Sequence, residues 1–160
     1  MKSHTFAIAC ILVVSLASYS QSREFRVWTY KELQDTADLV VISHPSNVRL
    51  LNEKFDLPNI FTQSSSGKKA PYHALGVETE FDVLATLKGA DRKNLVLHHY
   101  RSNVGNIEIN GPLLMEFDPQ GCDKFLMFLK KRDDGQYEGV AGQTDLVVSI
   151  KKLDTCSCGS

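Results

Sequence analysis

Four consecutive residues, His98-His99-Tyr100-Arg101, put two imidazoles, a phenol and a guanidinium on one short stretch. Imidazole is a metal ligand and a proton acceptor near neutral pH; phenol and guanidinium donate hydrogen bonds to a partner. His98 and His99 are therefore the metal candidates of this chain. His98, Tyr100 and Arg101 are the candidates for contact with a partner. They lie in Asn94–Arg101 (NLVLHHYR), which reads as a strand. Adjacent strand residues point to opposite faces, so regular geometry parts the two histidines and leaves at most one for any pocket. A zinc site would need ligands from His44, His73 or an acid, and no ligand-pair spacing is present. The expectation is no metal and no cofactor.

Other reactive residues reduce to structural readings. Ser64–Ser66 lacks the Gly-x-Ser-x-Gly frame of a nucleophile elbow. Gly67-Lys68 suggests a phosphate loop, but Thr62 stands where the first glycine is required and Lys69 follows where Ser or Thr is required. Cys122 beside a histidine would make a thiol nucleophile; in an exported chain a disulfide to Cys156 or Cys158 is the simpler reading. Once Cys10 is removed, three cysteines remain, so one thiol stays free, pairs between chains or binds something. Cys156-Ser157-Cys158 is also a donor pair for a soft metal such as Cu(I). Glu78, Glu80 and Asp82 form an acidic row suited to Ca²⁺ or a basic partner, and equally the wet side of a strand. No catalytic constellation emerges.

The elements that must position these residues are mostly strands. Val77, Thr79, Phe81, Val83, Ala85 and Leu87 alternate with Glu78, Glu80, Asp82, Leu84, Thr86 and Lys88, a period of two that ends at Lys88-Gly89. Asp91–Asn94 then turns this strand, Ala74–Lys88, into Asn94–Arg101 as an antiparallel hairpin. Upstream, Thr29 and Glu32 form a capping box for a short helix to about Ala37, with Tyr30, Leu33 and Ala37 facing inward. Leu39–Ile42 reads as a strand buried on both faces or covered by that helix. His44-Pro45 interrupts it, and it resumes at Asn47–Leu51. Asn52–His73, with Pro58, Pro71 and a serine run, reads as a long mobile loop. Downstream come a short strand at Ile107–Ile109, the stretch Pro112–Phe117, and strands at Lys124–Lys131, Gln136–Val140 and Leu146–Ile150. Asp133–Gly135 and Gly142–Asp145 turn between the last three. The tail, Lys151–Ser160, is polar.

Six or seven strands at hairpin spacing with one short helix imply an all-β fold, an OB-like closed or nearly closed antiparallel β-barrel. The 160 residues suffice for one domain. Lys2 followed by the apolar Phe6–Ala17 and the small, polar Ser18–Ser22 reads as a signal peptide, cleaved after Ser20 or Ser22. Residues 1–22 are thus a leader, 23–150 the barrel domain and 151–160 a cysteine-containing tail. The expected location is secreted or periplasmic, with no membrane attachment after cleavage. Loss of Lys2 leaves 17 basic against 19 acidic side chains, a balance that argues against nucleic acid as a partner.

Three stretches carry a resemblance. Thr36–Val41 resembles the first barrel strand of netrin-like and tissue-inhibitor-of-metalloproteinase-like domains. Phe81–Gly89 resembles their strand ending in a Lys-Gly turn. Phe125–Lys130 with Asp134–Tyr137 and Gly142-Gln143 is similar to a later hairpin of bacterial secreted relatives. The resemblance spans about 29–150 and implies an OB-like five-stranded barrel. The animal inhibitors begin their mature chain with a cysteine that chelates the protease zinc; Gln21 or Arg23 would stand there in this chain, so that mechanism does not carry over. The expected function is an exported, non-enzymatic binding module for a protein partner, engaged through a barrel face and residues 52–73. The alternative is a protease inhibitor or metal-dependent enzyme of unfamiliar type.

Overall fold

The computed structural model describes residues 26–63, 67–103 and 114–153. The expected leader, Ser64–Ser66, the strand expected at Ile107–Ile109, and Cys156 and Cys158 lie outside the described residues. The described fold is mostly β, as the alternation implies.

Helix α1 (Tyr30–Thr36) starts at the expected box. The Glu32 N–H donates to the Thr29 hydroxyl at 3.2 Å, and the Thr29 N–H donates to the Glu32 carboxylate at 2.8 Å. Leu33 and Ala37 are buried with Val40 and Phe128. Tyr30 is a correction: it is 63% exposed, with its ring only flanking Phe128 at 6.1 Å.

Strand β1 (Leu39–Gln63) follows, then β2 (Lys69–Lys88), β3 (Asn94–Ser102), β4 (Lys124–Lys131) and β5 (Tyr137–Gly139). A single helical turn, α2 (Leu146–Ser149), leads into β6 (Ile150–Leu153). β1, β2 and β3 form an antiparallel meander. β4 lies antiparallel to Leu39–Ser43 of β1, and β5 bridges β4 to β3. The order β1-β2-β3-β5-β4 therefore returns to β1, with β6 paired beside β4. The β3–β5 contact, Leu97 opposite Tyr137, is parallel, against the expectation of a purely antiparallel sheet. Five strands cannot alternate direction all the way round a ring, so one neighbouring pair must run parallel.

Leu39, Val41, Phe81, Leu95, Leu97, Phe117, Phe125, Met127, Leu129, Leu146 and Ile150 form the main core. Val40 points the other way into the α1 cluster, so the Leu39–Ile42 run is covered on both sides. On β2 the expected alternation buries Val77, Thr79 and Phe81 and weakens toward the strand end, where Leu87 is 58% exposed. Gly89 follows at φ 94°, and a Cβ there would lie 2.6 Å from the Asp38 carbonyl oxygen. Gly89→Ala is expected to cost about 1–3 kcal/mol in urea unfolding, because neither the left-handed turn nor the close backbone accepts a side chain.

Two expectations fail. Asn52–His73 is not a loop: β1 continues to Gln63 and β2 begins at Lys69, paired through Phe61–Pro71 and Gln63–Lys69. Of the prolines that suggested a loop, Pro71 is itself paired with Phe61 and Pro58 sits where the ladder slips. Pro58 falls in the irregularity between Asp56 and Phe61, and the Pro45–Asn47 step holds another, so β1 runs through His44-Pro45 without ending. Leu146–Ile150 is not one strand either: Leu146–Ser149 is helical and only Ile150 opens a strand. One helical turn places Leu146 and Ile150, four residues apart, in the same core, and the Ser149 hydroxyl accepts from the Ala141 N–H at 2.8 Å. The tail begins as β6.

Candidate functional site

β3 divides the His-His-Tyr-Arg stretch between its two faces. His99 points into the ring, 1% exposed, within hydrogen-bond distance of the Thr79 hydroxyl (2.9 Å from Nε2) and edge-on to Phe117 at 5.1 Å. Its Nδ1 makes no hydrogen bond of full geometry among the described residues; the Tyr100 backbone is the polar group near it. Burial, with smaller contributions from the His98 and Arg101 charges, pushes the His99 imidazole down to about 4. It is a neutral core residue at physiological pH. Arg101 lies on the same side of the strand, half-buried.

His98 and Tyr100 face the other way and meet a residue that the alternation pattern does not single out, Glu53 of β1. The Tyr100 hydroxyl donates to one Glu53 oxygen. His98 Nε2 is 3.0 Å from the other. Gln143, in the turn between β5 and α2, brings its amide nitrogen to 2.8 Å from His98 Nδ1 and 3.4 Å from the His98 carbonyl oxygen. An amide N–H that donates to Nδ1 places the ring proton on Nε2, which then donates to Glu53. The polar chain runs Gln143–His98–Glu53–Tyr100. The Tyr100 hydrogen bond, with His98 and Arg132 nearby, holds the Glu53 carboxyl below the usual carboxylate range.

Glu53 reaches β3 because β2 has Gly76 beneath it: a Cβ at Gly76 would stand 3.0 Å from Glu53 Cβ and 3.1 Å from Oε2. A glycine inside a strand often marks such a close approach, and this is the signal in the sequence that could have found Glu53. Phe55 stacks obliquely on Tyr100 at 5.1 Å, and Tyr100 joins Leu57, Tyr72 and Ala74 in a small second core. Burial and the Glu53 charge push the Tyr100 phenol up to about 12. In an alkaline titration followed at about 295 nm, Tyr100→Phe should remove the absorbance step near pH 12.

The remaining candidates do not converge. His44 Nδ1 lies 2.9 Å from the Asp123 carbonyl oxygen, and His73 pairs with Asp56. Among the described residues no three His, Cys, Asp or Glu side chains gather as a metal site. Both nitrogens of His98 are already engaged. Of the acidic row, Glu78 pairs across the strands with Arg49, while Glu80 and Asp82 are exposed. Cys122 is disulfide-bonded, to a cysteine outside the described residues. The arrangement is thus a largely buried polar clamp on a sheet face, in which the Glu53 carboxylate is the part open to contact. No protein-family model and no curated protein matches this chain.

Proposed function

We propose that the chain is an exported binding module, not an enzyme, built on an OB-like barrel of the netrin-like kind and specific for a protein partner. The barrel reading is supported by the closed strand order and by the three-stranded meander with β4 and β5 folded back on β1 and β3. The netrin-like reading is supported by the order of its motifs, whose first and last stretches, Leu39–Val41 and Phe125–Lys130, are ladder neighbours. Export rests on the apolar Phe6–Ala17 segment with its polar, small-residue exit.

One observation carries the partner reading. Beyond the segment of β1 that pairs with β4, β1 runs on beside β2, and once the β2–β3 ladder ends at Ala74 the two continue as a two-stranded arm, residues 56–63 with 69–73. Phe61 on this arm is 59% exposed, and Leu50 (53%) and Phe55 (38%) are exposed on β1 where it leads into the arm. Apolar side chains grouped on a projecting hairpin, next to Tyr100 and His98, are the composition of a contact surface. A photo-crosslinking residue at Phe61, compared with one at Leu84 on the ring, tests this in cells that produce the protein. The expected result is a discrete adduct at Phe61 only, whose purified partner binds at least about tenfold more weakly to Phe61→Ala. Equal labelling at both positions would end the arm as the binding surface. Sequencing the N-terminus of the exported protein checks cleavage before Gln21 or Arg23.

A further inference from the structure

The outer part of β1 holds more residues than its pairing with β2 uses. From Leu50 to Lys54 the chain advances four residues while its partner moves only from Val77 to Leu75. From Asp56 to Phe61 it advances five while the partner moves from His73 to Pro71. Surplus residues of this kind bend a strand and re-aim its side chains. The first surplus carries Glu53 over Gly76, across β2, onto His98 and Tyr100 of β3. β1 and β3 are not ladder neighbours, so this carboxylate makes a connection that no backbone pairing supplies.

We propose that Glu53 is a latch: it fixes the pose of outer β1, residues 50–57, and through it the arm, against β3, and opening it frees them without unfolding the ring. The charged and titratable groups at the latch are Glu53 from β1, His98 and Tyr100 from β3, and Arg132 after β4, itself paired with Asp134 at 2.9 Å. Gln143 locks His98 from the opposite side, so the carboxylate closes onto a positioned donor. On the β2 side the arm is rooted by the β2–β3 ladder, which runs to Ala74 opposite Ser102, and by the Tyr72 hydroxyl donating to Ser102; on the β1 side the apolar contacts of Leu57 with Tyr72, Ala74 and Tyr100 give adhesion but little direction. Directional hydrogen bonds to a charged acceptor give it one orientation. Only the consequence for a partner, which would meet a preset arm, rests on the proposed function; the latch belongs to the isolated chain.

Hydrogen exchange on the full chain, with no partner present, tests the latch from both sides. Glu53→Ala removes the carboxylate, and Gly76→Ala pushes it up from below. Both are expected to speed exchange about five- to tenfold at residues 54–57 of β1 and at 72–73 of β2, which lie outside the β2–β3 ladder. Exchange at residues 39–43 and 125–129 of the ring should stay at the parent rate. Glu53→Gln keeps an acceptor for Tyr100 and should fall between parent and Glu53→Ala. Unchanged exchange in the arm overturns the latch, and so does an equal rise in arm and ring, which would make Glu53 a general stabiliser. Should Glu53→Ala not fold, Tyr100→Phe keeps the aromatic packing and removes one donor. It should raise arm exchange about threefold, and parent rates there would overturn the proposal.

Discussion

Phe81→Ala should lower the free energy of unfolding by about 3–5 kcal/mol, the range for deleting a fully buried aromatic ring. Phe81 is 0% exposed and meets Phe117 edge-on at 4.9 Å, and Phe117 in turn meets Phe125 at 5.0 Å and His99 at 5.1 Å. The lost side chain therefore leaves a void against Phe117, the hub of an aromatic cluster. Its walls belong to opposed strands and cannot collapse without breaking ladder pairs. A domain of this size has about 5–15 kcal/mol in total, so the variant should lie near its unfolding threshold at room temperature. Leu84→Ala provides the control from the same strand. That side chain is 52% exposed, and its removal should change stability by no more than about 0.5 kcal/mol. Urea midpoints for the two variants decide the matter. Equal losses would mean that the inward face of β2 does not carry the core.

That face was legible in the sequence because alternation over Val77–Ala85 is imposed by burial on one side of a strand. The capping box at Thr29 and the Lys88-Gly89 stop were legible for the same reason, each being a local requirement with a local signature. The misreadings are of another kind. Pro58 and the serine run obey loop chemistry, and only the long-range pairing of Phe61 with Pro71 makes their surroundings a strand. Val147 and Val148 favour a strand by their branching; the need to bury Leu146 and Ile150 together overrides it with a helical turn. The clamp was half legible. Strand geometry separated His98 from His99, but Glu53 and Gln143 lie 45 residues to either side of His98, and nothing local ties them to it. Arg101, grouped with His98 and Tyr100 by proximity in sequence, belongs to the opposite face.

His99 gives the largest expected response to pH. Its unfolded imidazole titrates near 6.5 and its folded one at about 4, so the folded state resists protonation. Above pH 6.5 the residue is neutral in both states and its full contribution is present. As pH falls from 6.5 toward 4, the unfolded chain gains a proton that the folded chain refuses, and stability is lost. A depression of this size corresponds to about 3 kcal/mol across the window. Urea unfolding at steps from pH 7.5 to 4 should show that decline in the parent chain. His99→Gln retains a neutral polar group beside Thr79, so the difference between the two curves isolates His99 from His44, His73 and His98. The difference should be steepest between pH 6.5 and 4. Parallel curves would remove the claim that burial holds this imidazole neutral. A direct check in the parent chain is the His99 ring proton signal in NMR, which should stay unshifted down to about pH 5.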